Sequence, residues 1–103
     1  VYLQLGNIEA GPLTNIESGL SGTPVVAFPS GGNLDFVMAG VNGVLIDTTC
    51  EDMVDGVVEA IHATMQLDRK TVRESTVAEW GNLNRMLGEV EAALTDCVAG
   101  SWW

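Results

Sequence analysis

The sequence predicts an α/β fold built on three parallel strands, and three observations predict it. Short, nearly continuous apolar runs recur at residues 1–5, 24–28 and 44–46. Segments with helical spacing of apolar residues separate them. Glycines stand where those helices must stop, at Gly22 and Gly40. Strands alternating with helices imply a parallel sheet with right-handed crossovers, and strands apolar along their whole length suit a sheet covered on both faces.

Each element has its own local reason. Val1-Tyr2-Leu3-Gln4-Leu5 has the length and residue types of a buried strand. Gly6 to Gly11 is expected as loop. Pro12 suits a first helical position, where its missing N–H costs nothing. Leu13, Ile16 and Leu20 then mark the apolar face of a helix that Gly22 closes in a left-handed conformation. Pro24 to Phe28 reads as the second strand. Pro29-Ser30-Gly31-Gly32 reads as a tight loop, Leu34 to Met38 as a short helix, and Asn42-Gly43 as the turn into the strand Val44-Leu45-Ile46.

The second half is helical. Thr48 and Glu51 have capping-box spacing, and Met53, Val57, Val58, Ile61 and Met65 fall on one face. Asp68 can cap a further helix. Val72, Val77, Trp80, Leu83, Leu87, Val90 and Leu94 continue the spacing, with breaks expected at Gly81 and Gly88. The chain is thus expected to be one domain of 1–103, with strand and helix units over 1–47, helices over 48–97 and a tail over 98–103. Three strands are half of a usual doubly wound sheet. The first strand is therefore expected to lack a neighbour, and its open edge invites pairing with another copy. A start at Val1, already inside a strand, reads as a chain cut from something longer.

Charge narrows the partners. The formal net charge is −10, and residues 1–68 contain nine acids and no Lys or Arg. All four bases, Arg69, Lys70, Arg73 and Arg85, follow. Nucleic acid and anionic membranes are poor partners for such a surface. No apolar run approaches a membrane span, and no signal peptide is evident, so a cytoplasmic location is expected. Cys50 and Cys97 form neither a disulfide framework nor a metal motif and are expected as small buried hydrophobes. His62 lies beside an apolar stripe with no second ligand near it, so no metal is expected. Trp80 is expected in the core, and Trp102 and Trp103 against this chain or a partner.

The chemistry-bearing pattern is the pair Glu9 and Glu17, with seven residues between them, in Glu9-Ala10-Gly11-Pro12-Leu13-Thr14-Asn15-Ile16-Glu17. The first falls in a strand-to-helix loop and the second about two turns along the helix. The helix start at Gly11-Pro12-Leu13 offers free N–H groups to an anion, although every such crossover has a helix start. Ser30-Gly31-Gly32 is a second glycine loop at the same sheet edge, permitting close approach of a ligand or simply a tight turn.

Taken in order, three elements resemble a family. The Glu9/Glu17 pair, Ser21-Gly22-Thr23-Pro24-Val25-Val26-Ala27, and Gly31-Gly32 through Asp35 to Gly40-Val41-Asn42-Gly43-Val44-Leu45 are similar to the donor-binding half of retaining glycosyltransferases of group 1, the family 4 type with the GT-B fold. The resemblance covers the first half of the chain and implies a partial Rossmann-like domain. It implies that Glu9 contacts donor-sugar hydroxyls at the reacting centre. It places the backbone of Gly11, Pro12 and Leu13, with Thr14, at the sugar and diphosphate. It gives Glu17 the ribose, with Gly31 and Gly32 near the ligand. The donor nucleotide-sugar is a substrate, and no cofactor or metal is implied. Family members hold the diphosphate with an Arg and a Lys from earlier in the domain, and this chain has no base before Arg69. Pro12 also stands where many members have Gly. The isolated chain is therefore expected to be inactive. The alternatives are a non-catalytic homo-oligomeric interaction protein and a simple nucleotide-binding module.

Overall fold

The computed structural model describes residues 1–6 and 13–100. Three strands, β1 (Tyr2–Gln4), β2 (Val25–Ala27) and β3 (Gly43–Leu45), form one parallel sheet in the order β1-β2-β3. Tyr2 pairs with Val25 and Val25 with Gly43, and the register runs on through Gln4, Ala27 and Leu45. A further bond from the Ile46 N–H to the Ala27 carbonyl, 2.8 Å, extends the ladder. The helices are α1 (Leu13–Leu20), α2 (Gly32–Phe36), α3 (Met53–Thr64), α4 (Arg69–Trp80) and α5 (Leu83–Val98).

Strand alternation sorts the core into two layers. Val25 and Ala27 point to one face, packed with Phe36 and Val37 and flanked by Tyr2, Ile16 and Leu45. Val26 points to the other, packed with Ile46 and Ala60 and flanked by Val57 and Ile61 of α3. β2 is therefore buried on both sides, which is why its residues are apolar without alternation. The chain then crosses back, and α4 packs against α1 on the first face.

The packing face of α1 is the expected one only in part, since Ile16 does pack against the core. Its buried residues are Asn15 and Gly19, whereas Leu13 is 64 % exposed. The cause is α4. A Cβ on Gly19 would collide with the Thr76 side chain and sit 3.1 Å from Phe36 Cζ, so the two helices approach too closely for anything but glycine at that point. Gly22 ends α1 at φ 80°, as its sequence position predicts. Pro12, expected to open this helix, lies outside the described residues.

Three further expectations are corrected. The short helix α2 starts at Gly32 rather than Leu34. The turn closes early because the Asn33 N–H reaches the Ser30 carbonyl and the Leu34 N–H the Gly31 carbonyl, both at 3.2 Å. It also ends early, because the Asn42 amide donates to the Phe36 carbonyl while its oxygen accepts from the Met38 N–H. The N-cap of α3 is Asp52, which accepts from the Val54 N–H at 2.9 Å. Thr48 and Glu51 form no capping box, since Asp47 folds the preceding residues into a turn by accepting from the Thr49 N–H and hydroxyl. Finally, α3 meets the sheet through Gly56, Ala60 and Thr64, with Val57 and Ile61 half-buried, leaving Met53, Val58 and Met65 exposed. Small residues win that face because a Cβ on Gly56 would lie 2.9 Å from the Asp47 carbonyl oxygen.

Asp68 caps α4 as expected, accepting from the Thr71 N–H at 3.0 Å and its hydroxyl at 2.9 Å. The chain breaks at Gly81 but not at Gly88, which α5 passes without interruption. An Arg85–Glu89 pair at 3.0 Å spans Gly88, and the Asn82 side chain caps the helix start. Trp80 covers the core rather than entering it: its ring lies 6.0 Å from that of Phe36 and stays 39 % exposed. No residue of α5 is buried, and Leu83, Leu87, Val90 and Leu94 form an exposed apolar stripe. Trp102 and Trp103 lie outside the described residues.

Candidate functional site

Because all three strands run the same way, their carboxyl ends share one edge. The segment after β1 leads into α1, the segment after β2 is the Ser30–Gly32 turn, and the segment after β3 begins at Ile46 and Asp47. Of the sequence-predicted residues, Glu9, Gly11 and Pro12 lie outside the described residues. Leu13 is the first residue of α1 and is exposed. The Thr14 hydroxyl accepts from the Tyr2 hydroxyl at 3.0 Å and from the Gln4 amide at 3.4 Å. The start of α1 is thereby tied to β1 by side chains as well as by the chain itself. Glu17 is exposed one turn further on.

The second loop comes to the same edge. Gly31 adopts φ 53°, ψ −137°, a backbone conformation closed to residues with a Cβ. Gly32 opens α2 and is buried. Between this turn and α1 lies a contact that apolar periodicity does not reveal. The Asn15 amide donates to the Asn33 side-chain oxygen at 2.9 Å, and Asn33 in turn donates to the Phe28 carbonyl at 3.2 Å. Both asparagines are 0 % exposed. The sequence offered no signal for this contact beyond the placement of Asn15 and Gly19 on one helix face, four residues apart.

The edge is acidic. Hydrogen bonds from the Thr49 hydroxyl and N–H hold the Asp47 carboxyl below its ordinary range. Partial burial, then the charges of Asp47 and Glu59, push the Cys50 thiol up. It stays protonated and unreactive at neutral pH. Cys50 and Cys97 are both half-buried rather than buried as expected. The bases sit elsewhere, on α4 and α5. Arg69 donates to the Gly22 carbonyl at the far end of α1, 3.3 Å away. Arg85 is engaged by Glu79 at 2.9 Å and Glu89 at 3.0 Å. Among the described residues, no group of three or more His, Cys, Asp and Glu is placed to hold a metal ion. No described helix is long and apolar enough to cross a membrane.

The comparison with protein families places this geometry. The family model for glycosyl transferases group 1 matches residues 1–76, which takes in the whole sheet, α1 to α3 and most of α4. The chain belongs to this family. No curated protein matches the chain. The matched span of this glycosyl transferase chain stops before α5, so the exposed apolar helix is the part that the family pattern does not describe.

Proposed function

We propose that this chain is the donor-binding half of a retaining, nucleotide-sugar-dependent glycosyltransferase of the GT-B type. The observation that supports it best is the joint placement of α1, with Glu17 on its surface, and the Ser30–Gly32 turn at the carboxyl edge of one parallel sheet. In this reading Glu17 accepts hydrogen bonds from the ribose hydroxyls and Glu9 from the donor sugar. Backbone N–H groups from Gly11 to Leu13 face the diphosphate, with Thr14 beside them. Gly31 and Gly32 let the second loop approach the ligand. The chemistry is departure of the nucleoside diphosphate with retention at the sugar carbon, and its main requirement is stabilisation of the leaving charge.

That requirement is unmet by this chain alone. A phosphate charge about 6 Å from a carboxylate is repelled by roughly 3 kcal/mol at an effective dielectric of 20. No Lys or Arg lies in the three loops at the carboxyl ends of the strands. The 103-residue chain therefore binds a nucleoside diphosphate weakly and transfers no sugar by itself. Calorimetric titration with uridine and guanosine diphosphates tests the assignment, with Glu17→Ala as the specific variant. Loss of a charge-assisted bond to the ribose, worth about 1.5–3 kcal/mol, weakens binding roughly tenfold to a hundredfold. Undetectable binding at millimolar ligand, or an unaltered affinity in Glu17→Ala, refutes it.

A second reading has its own observation. The stripe of Leu83, Leu87, Val90 and Leu94 on α5 and the exposed Leu3 on the edge strand β1 suit a non-catalytic, self-associating module. Sedimentation of the chain across a range of concentrations decides it. A dimer that Leu87→Gln and Leu94→Gln dissolve supports the module, and a monomer at every concentration removes it.

A further inference from the structure

We propose that Asn15 and Asn33 are positioning residues of the donor site, an amide bridge that clamps the Ser30–Gly32 loop to the helix bearing Glu17. The proposal rests on the donor-site assignment above and goes beyond it by naming what sets the distance between the two sides of the site. The connection is continuous. Asn15 on α1 donates to Asn33 at 2.9 Å, and Asn33 donates to the carbonyl of Phe28, the residue that follows β2, at 3.2 Å. The Asn33 N–H closes back on the Ser30 carbonyl at 3.2 Å. The turn is thus closed by one residue, Asn33, through its side chain at Phe28 and its backbone N–H at Ser30, and that side chain is held by α1.

The energetics argue that the bridge is there for geometry rather than stability. Both amides are fully buried. The Asn15 side-chain oxygen and the Ser30 hydroxyl are buried without any hydrogen-bond partner. A buried acceptor left open costs about 1–3 kcal/mol, and two apolar side chains of the same size would avoid it. An amide pair does what an apolar contact cannot: it fixes one separation and one orientation. A leucine pair at the same place would hold the loop near α1 but let it slide.

The test uses the whole 103-residue chain and reads two quantities. The first is hydrogen exchange at the Asn33 and Leu34 amides, which close the loop, with the Val25 and Val72 amides as controls. The second is affinity for uridine or guanosine diphosphate. Asn15→Leu is expected to speed exchange at Asn33 and Leu34 at least tenfold, to leave Val25 and Val72 unchanged, and to weaken the nucleotide about tenfold while the chain stays folded. Unchanged exchange at the two loop amides overturns the clamp. Faster exchange with unchanged affinity overturns its link to the ligand.

A matched pair keeps the test decisive if the leucine variant misfolds. Asn15→Asp, ionised, cannot donate to Asn33, whereas Asn33→Asp still accepts from Asn15 but gives up its bond to the Phe28 carbonyl. Loop amides that stay protected in Asn33→Asp and not in Asn15→Asp support the bridge. Loop amides that stay protected in Asn15→Asp overturn it. If the unaltered chain binds neither nucleotide, the donor-site assignment falls, while the exchange data still decide whether the bridge clamps the loop.

Discussion

Gly19 gives the sharpest test of how α1 is seated. Changing it to alanine should raise helix propensity by about 0.5–1 kcal/mol, because alanine is the better helix former. The tertiary structure reverses the sign. The added Cβ would lie 2.8 Å from Thr76 Cγ2, closer still to the Thr76 hydroxyl, and 3.1 Å from Phe36 Cζ. Thr76 is fully buried and its hydroxyl donates to the Val72 carbonyl at 2.7 Å, so it has no free rotamer to retreat into. Overpacking of this kind costs roughly 1–3 kcal/mol. The net expectation for Gly19→Ala is a loss of about 1–2 kcal/mol, or a Tm lower by roughly 4–12 °C for a chain of this size.

The assay is thermal and urea unfolding of four chains: the unaltered protein, Gly19→Ala, Thr76→Ala and the double variant. Thr76→Ala removes both threonine atoms from the contact, so the double variant should be more stable than additivity allows, by about 1 kcal/mol or more. A Gly19→Ala chain at least as stable as the original would refute the close α1–α4 seam. So would strict additivity of the two changes.

Further predictions follow from other parts of the molecule. Gly43→Ala places a Cβ against the Val25 carbonyl oxygen and 3.2 Å from its carbon, so it should break the β2–β3 pairing and abolish cooperative unfolding by circular dichroism. Asp68 is held below its ordinary pKa by the Thr71 N–H and then the Thr71 hydroxyl. A depressed carboxylate stabilises the fold above its unfolded pKa, and that stability is lost as pH falls through the folded value. Asp68→Ala should therefore lower Tm at pH 7, and the difference from the unaltered chain should shrink as pH falls below about 4. A pH-independent difference would show that the cap contributes nothing through its charge.

Much of the fold was legible in the sequence because local chemistry dictates it. Three apolar runs became three parallel strands, but only β2 is buried on both faces; the first run, read as a buried strand, is an edge strand on which Leu3 stays 40 % exposed. Gly22 ended α1 and Asp68 began α4, since each answers a backbone need within a few residues. The order of the Glu9/Glu17 pair, the Gly22-Thr23-Pro24 turn and the Gly31-Gly32 loop pointed to the family that residues 1–76 match. The sequence decided only in part which side of α1 and α3 faces inward: Ile16, Val57 and Ile61 pack on the core as their spacing predicts. Apolar spacing favoured Leu13 on α1 and Met53 on α3, yet Asn15, Gly19, Gly56 and Ala60 took the buried positions. Periodicity measures how much apolar surface a face offers, whereas packing selects the face that lets two backbones come closest. The Asn15–Asn33 bridge, joining residues eighteen apart in the chain, exists only because the sheet brings α1 and the loop after β2 to one edge.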